Sequence, residues 1–342
     1  MIKETILTGI RANDIPTLGN YLGAILPIVQ IANSLTEDSR INCFVPDLHS
    51  ITTPIDHDSL QDNIEYNTKL FVAAGLPIQK QNVNLYRQSY ISAHSELAWI
   101  LSCFTGFGEA SRMVEFKDKS AQIGGERVSV GLFTYPILMS ADILLYDAKW
   151  VPIGEDQRQH LELTRELAIR FNNKFGDIFT VPETIDKQQH FLNRDKAPRI
   201  RSLKNPSKKM SKSVNDPTGT ILLTDDPSSA VKKIMSATTD SLSQINYDWE
   251  RQPGITNLLT ILSLLTDKDQ SQINTEWVGR SSYGELKKAV ASSVESELIR
   301  LQNEINNVAN EELENTLIQS EDILRNQAND KLLQVQQAVG LR

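Results

Sequence analysis

The stretch "ETILTGIRANDIPTLGNYLGAILPIVQ", residues 4–30, decides the fold. Residues 4–10 form a short run rich in β-branched side chains and read as a strand. Beyond the turn, Leu22, Ile25, Leu26 and Val29 recur at i, i+3, i+4 and i+7, the spacing of one helix face. Pro27 inside that pattern is expected to kink the axis or remove a hydrogen bond. A strand that feeds a helix through a tight turn is the first unit of an α/β fold. The helix start carries Thr17, Gly19 and Asn20, and free N–H groups and the helix dipole there favour a phosphate. Glycine at position 19 is expected to let backbone approach the ligand closely. Neither G-x-G-x-x-G nor a P-loop is present, so the common nucleotide fingerprints do not apply.

The same alternation continues outward. Residues 41–47 and 82–89 read as strands, and 56–76 as a helix ending near Gly75 and Pro77. By residue 90 a β-α-β-α-β half of a doubly wound sheet is in place. Residues 91–148 break the pattern and read as an insertion, with a helix around 92–104, a Gly-rich stretch at 124–136 and a helix at 136–148. Residues 149–154 resume as a buried strand. A long amphipathic helix follows at 155–176, with Leu161, Leu163, Leu167 and Phe171 on its apolar side. Past Asn215 the β signals fade into helical patterns. The expected division is an α/β domain over 1–215 and an α-helical domain over 216–342. With 342 residues and about 150 per domain, two domains also fit the length.

Composition excludes several classes. Apolar residues make up 40% and charged residues 23%, as in an ordinary globular chain. A net charge of -8 argues against coating nucleic acid through bulk charge, so any polyanion contact is expected to be local. Cys43 and Cys103 are flanked by apolar residues and read as buried thiols. No CxxC, HExxH or Cys/His cluster has metal-ligand spacing, so no structural metal is expected. The N-terminal apolar run is too short for a signal peptide, and no stretch approaches the ~18 apolar residues of a membrane span. A cytoplasmic protein without membrane association is the expectation. One basic segment stands out: from Ala197 to Asn215, Arg199, Arg201, Lys204, Lys208, Lys209 and Lys212 occur with no Asp or Glu. Its centre, "SKKMSKS" at 207–213, gathers cations among small hydroxylic residues, as an anion site would require.

T-L-G-N at 17–20 followed by K-M-S-K-S at 209–213 resembles the two signatures of the class I aminoacyl-tRNA synthetases. Thr and Asn at the outer positions of the first signature resemble the tryptophanyl enzymes of that class. Residues 46–53, 112–122, 134–172 and 198–213 are similar to the same family, and the resemblance runs from about residue 5 to 265. It implies a Rossmann-like parallel-sheet catalytic domain whose insertion forms a homodimer interface, followed by a helical domain that reads the anticodon. It also implies ATP with Mg²⁺, tryptophan and tRNA(Trp) as substrates and partners, and formation of tryptophanyl-adenylate before transfer to the tRNA 3′ end.

By the same resemblance, Lys209 and Lys212 stabilise the charge that grows on departing pyrophosphate, with Lys119 as a third cation. Thr17, Gly19, Asn20, Gly154, Asp156, Met210 and Ser211 join these lysines around ATP. Asp142 accepts the indole N–H, which can only donate. Met139 packs the ring, Tyr135 and Gln157 hold the α-amino group, Val151 and Ile153 line the pocket, and His49 lies near the substrate. His57, His94, His160 and His190 receive no role. Many relatives carry Gln-Pro-Ser-Gly where this chain has Arg11, Ala12, Asn13 and Asp14; Arg11 is placed at ATP as a donor to phosphate or carboxylate. The alternatives are the tyrosyl enzyme, which shares both signature positions, and a non-catalytic paralogue, for which loss of the loop lysines would be expected.

Overall fold

The computed structural model describes residues 4–113, 128–154, 157–191, 199–211, 216–266 and 268–342. Four parallel strands form one sheet in the order β3-β2-β1-β4. They are β1 (Glu4–Gly9), β2 (Ser39–Val45), β3 (Val83–Arg87) and β4 (Ala148–Trp150). Between β1 and β2 the chain forms α1 (Leu18–Asn20), a π-helical turn (Tyr21–Ile25) and α2 (Leu26–Ser34). The kink expected from Pro27 takes this form. Proline sits in the first turn of α2, where its missing N–H has least to lose, and the widened turn lies just before it. Short α3 (Asp47–Ser50) and then α4 (Leu60–Ala73) link β2 to β3. Gly75, at φ +95°, ends α4 by taking a left-handed conformation, with the Leu76 N–H donating to the Phe71 carbonyl at 3.0 Å.

Strand side chains alternate between two cores, so both faces of the sheet are covered. Ile6, Ile41, Cys43, Val83 and Leu85 face one cluster, which α1, α2 and α4 share. Leu7, Phe44 and Tyr86 face the other, which is filled by α5 (Ala93–Ser102), α7 (Val130–Leu144) and α8 (Arg158–Phe175). The short α6 (Phe107–Ala110) lies between α5 and α7. The helix expected at 136 begins instead at Val130, because Ser129 caps it by accepting the Leu132 N–H at 3.0 Å and Pro136 is carried inside it. Two further expectations are corrected. β4 lies at the sheet edge with Lys149 and Trp150 only half-buried, and Cys103 is exposed while Cys43 is buried. Cys103 stands four residues after Trp99 on the outer face of α5, and apolar sequence neighbours do not determine which face a helical residue occupies.

The short α9 (Ile185–Phe191) follows α8. Helices α10 (Pro227–Met235), α11 (Pro253–Leu265), α12 (Gln270–Trp277) and α13 (Tyr283–Asn307) then extend the first core. The last helix, α14 (Asn310–Ala338), returns to the sheet and places Leu324, Ala328, Leu332 and Val335 in the second core. It also locks the end of β3. Glu321 accepts from Arg87 Nε at 2.7 Å, from Nη2 at 3.0 Å and from the Arg87 backbone N–H at 3.2 Å, while Glu314 takes the outer edge of the guanidinium at 2.9 Å. No helix among the described residues is long and apolar enough to cross a membrane.

Removing one partner of a buried ion pair strands the other. Glu321→Ala is therefore expected to lower stability by about 3–5 kcal/mol in urea unfolding. Glu314→Ala, whose carboxylate is about half-exposed, is expected to lower it by less than about 1 kcal/mol. Equal losses would contradict this division.

Candidate functional site

The strand order reverses direction at β1, because β2 and β3 follow on one side and β4 lies on the other. In open α/β sheets the crevice beyond the carboxyl ends of the strands at such a point is where ligands bind. The turn after β1, the segment after β4, α3 after β2 and Gln88 after β3 all lie at this edge.

At the first turn, Thr17 caps α1. Its Oγ1 accepts the Asn20 N–H at 3.1 Å and donates to Asn20 Oδ1 at 2.8 Å, and Asn20 Oδ1 accepts the Thr17 N–H at 3.0 Å. The basic segment packs directly on this turn. A Cβ on Gly19 would lie 3.2 Å from Met210 Cβ and 3.4 Å from its carbonyl oxygen. The absent side chain thus makes room for Met210 of the second signature, where close approach to a ligand was expected. Backbone pairing joins the turn to the strand-like residues that follow the basic segment: Leu18 N–H donates to the Ile221 carbonyl at 2.8 Å, and Leu223 N–H to that of Pro16 at 3.1 Å. A hairpin carries Met210, with its N–H on the Ile200 carbonyl at 3.0 Å and the Ser202 N–H on the Lys208 carbonyl at 2.9 Å. Met210 is fully buried and Lys209 beside it is exposed. Lys119, Asp156 and Lys212 lie outside the described residues.

Asp142, on α7, is 1% exposed and meets donors from three other elements. His49 Nε2 of α3 lies 2.8 Å from Oδ2; Gln88 Nε2 and His94 Nδ1 of α5 each lie 2.6 Å from Oδ1. Burial alone would raise this carboxyl, but the two histidines and their hydrogen bonds outweigh it and hold the pKa down at about 2. Asp142 is therefore a carboxylate and can only accept. Gln88, His94 and Tyr146, whose hydroxyl lies 2.9 Å from His94 Nε2, were not singled out by the sequence reading. Nothing in their spacing signals the role, because it depends on β3 ending beside α5 and α7.

A second polar chain runs through Tyr135, whose hydroxyl lies 3.2 Å from His160 Nε2, while His160 Nδ1 lies 2.7 Å from Gln157 Oε1. With Gln157 Oε1 as acceptor, His160 carries its proton on Nδ1 and accepts from the Tyr135 hydroxyl. His49 and Tyr135 meet edge to face with centroids 6.1 Å apart, and the Arg11 guanidinium lies 5.5 Å from the Tyr135 ring. Arg11 therefore stands beside the Tyr135 end of the crevice, while Asp14 is exposed. Val151 is buried, with its N–H on Gln188 Oε1 at 2.9 Å; Ile153 and Met139 are half-buried against the second core, and Gly154 is exposed. Among the described residues no cluster of three or more His, Cys, Asp or Glu side chains is placed to hold a metal ion.

Comparison with known proteins adds four findings. Residues 3–298 match the family of class I tRNA synthetases (W and Y). The chain is 44% identical over 340 residues to the tryptophan–tRNA ligase of Caldanaerobacter subterraneus subsp. tengcongensis, covering 99% of this chain and 98% of that one. It is similar to the crystal structure of tryptophanyl-tRNA synthetase from Mycoplasma pneumoniae, with a TM-score of 0.85, 35% identity and coverage of 100% and 99%. It is also similar to the Campylobacter jejuni synthetase complexed with ADP and tryptophan, with a TM-score of 0.77, 29% identity and coverage of 98% and 100%.

The depressed Asp142 pKa has a pH signature. A carboxyl whose folded pKa lies below its unfolded value of about 3.9 stabilises fully above that value, and its contribution is lost as pH falls toward the folded one. The stability advantage of the wild type over Asp142→Asn is expected to shrink as pH falls through 4 toward 2. Urea unfolding of both proteins across that range measures it, and an advantage that grows on acidification would contradict the assignment.

Proposed function

The chain belongs to the class I tRNA synthetases of the tryptophanyl and tyrosyl family, and on that premise we propose how its residues divide the work of a tryptophan–tRNA ligase. The activity joins tryptophan to ATP as an adenylate and then to tRNA. In the first step a carboxylate oxygen of tryptophan attacks the α-phosphorus, the bond to the β-phosphate oxygen breaks, and pyrophosphate leaves with the growing negative charge. Nothing in this requires a nucleophilic side chain, so the protein's task is positioning and charge stabilisation.

The observation that carries the reading is the direct packing of the first βα turn on the basic hairpin through Gly19 and Met210. Lys209 is exposed and adjoins Met210 in sequence, which supports reading it and the start of α1 as parts of one nucleotide site. There the helix N-terminus and the cap residues Thr17 and Asn20 receive the triphosphate, while Lys209, with Lys212 and Lys119, neutralises the departing pyrophosphate. Ser211, Gly154 and Asp156 complete the ATP side, Asp156 at a ribose hydroxyl. Mg²⁺ is read as arriving on the triphosphate, because this ion keeps its waters and binds through phosphates in such sites.

Tryptophan lies at the other end. Its indole N–H donates to Asp142, Met139, Val151 and Ile153 pack the ring, and Tyr135 and Gln157 hold the ammonium. Arg11, half-buried beside the Tyr135 ring, is placed to reach the tryptophan carboxylate or the α-phosphate. Selection against amino acids that lack an N–H or O–H donor follows from the unpaired Asp142 they would leave.

The α-helical part from residue 216 is read as the tRNA anticodon-binding region, and the outer faces of α5, α6 and α7 as a homodimer contact. Trp99, Phe107 and Val130 expose 72, 78 and 76% of their surfaces there, an apolar concentration that fits a partner surface. Phe104 packs inward on Phe171 and Phe175 and is not part of that surface.

The test is amino-acid-dependent exchange of labelled pyrophosphate into ATP with Mg²⁺ present. Exchange is expected with tryptophan and not with tyrosine. Lys209→Ala is expected to lower kcat by about 10²–10³-fold, the effect of removing one preorganised donor to transition-state charge. Exchange with tyrosine would reassign the substrate, and an unaffected Lys209→Ala variant would move the pyrophosphate site elsewhere.

A further inference from the structure

We propose that Gln88 and His94 are positioning residues for tryptophan selection: they occupy the Oδ1 edge of Asp142 and thereby leave Oδ2 as the edge that receives the indole N–H. The inference rests on the reading of Asp142 as the indole acceptor and assigns the machinery behind it.

A carboxylate offers about four lone-pair sites, two on each oxygen. Oδ1 is filled by Gln88 Nε2 and His94 Nδ1, both at 2.6 Å. Oδ2 has one donor among the described residues, His49 Nε2 at 2.8 Å, and keeps a second site for a ligand.

The orientation of each clamp residue is itself determined. Gln88 Oε1 accepts the Leu48 N–H at 3.2 Å, so the amide cannot flip and its Nε2 must face Asp142. His94 Nδ1 faces an acceptor-only carboxylate and is therefore protonated, which leaves Nε2 to accept from the Tyr146 hydroxyl at 2.9 Å. The imidazole is held against a cluster of aromatic rings, with Tyr86 at 5.9 Å and Phe44 at 6.5 Å lying roughly parallel to it and Tyr146 tilted against it at 5.5 Å. Gln88, His94 and Tyr146 are fully buried, as is Tyr86. A carboxylate without these donors would rotate toward whatever donor remained, and Oδ2 would no longer meet the indole edge.

The experiment compares tryptophan with β-(benzothiophen-3-yl)alanine, an isostere with sulfur in place of the N–H, in pyrophosphate exchange. The readout is the ratio of their kcat/KM values, which general loosening of the fold would not change. Asparagine places its amide N–H near the Nδ1 position of histidine, whereas glutamine mimics Nε2. His94→Asn is therefore expected to keep the ratio within about threefold of wild type. His94→Gln and Gln88→Met are expected to lower it by about tenfold or more, through KM for tryptophan with kcat little changed, as loss of a hydrogen bond to a charged group would produce. Melting curves establish that each variant is folded; if His94→Gln is not, Gln88→Met decides alone.

A ratio unchanged in His94→Gln and Gln88→Met, or equal losses for both substrates, would overturn the proposal. Asp142→Ala separates the two levels. If it collapses the ratio while the Gln88 and His94 variants do not, the positioning role fails and the acceptor role stands. If Asp142→Ala leaves the ratio unchanged, both fail.

Discussion

A carboxylate taken out of water must be surrounded by donors or it will protonate or disrupt its surroundings. Asp142 meets that constraint with three side chains drawn from three places: α3 after β2, the residue following β3, and α5. The carboxyl end of the sheet is therefore built around one charge. His49 can reach it only if α3 turns back immediately after β2, and Asp47 secures that turn by accepting the Leu48 and Ser89 N–H groups and the Ser89 hydroxyl. His94 can reach it only if α5 starts close behind β3. The short connections in this half of the chain follow from that demand.

The nucleotide side obeys a different rule. There the first turn is bound by backbone hydrogen bonds to residues 221–223 and packs on the buried methionine of the hairpin, while the cation beside that methionine remains in solvent. Such an arrangement separates anchoring from chemistry. Met210 fills the space that Gly19 leaves, and the exposed Lys209 keeps the rotamer freedom that its proposed role at a departing phosphate requires. Asp142 is buried and immobilised instead, as the proposed discrimination of a fixed indole edge requires.

Much of this was legible in residue patterns. Short runs at residues 4–10, 41–47 and 82–89, set between helical patterns, placed three strands, and the apolar spacing of Leu161, Leu167 and Phe171 placed α8, because helical periodicity records which side faces a core. Asp142 was singled out only through the motif around it. Its partners were not, since His94 and Gln88 lie 48 and 54 residues away and meet it only after the sheet has formed. Cys103 was misread for the same reason: its neighbours in sequence are apolar, but its helix face points outward. The helix through Pro136 was shortened in the reading because proline is a stop signal locally, and packing on α5 and α8 overrode it.

The last helix connects these regions mechanically. Arg87 and Gln88 are consecutive, and they face different partners: Arg87 is held by Glu321 and Glu314 of α14 through both side chain and backbone, and Gln88 holds Asp142. The peptide unit that aims Gln88 at the carboxylate is thus fixed from behind by a salt bridge to the C-terminal helix. An Arg at position 87 is the residue that can do this, since its planar fork satisfies two carboxylates at once while its face lies 3.7 Å from the Tyr90 ring. Lysine would offer a single point of contact and leave one glutamate unpaired. Glu314 and Glu321 of α14 are in this way part of what holds the carboxyl end of β3 in place.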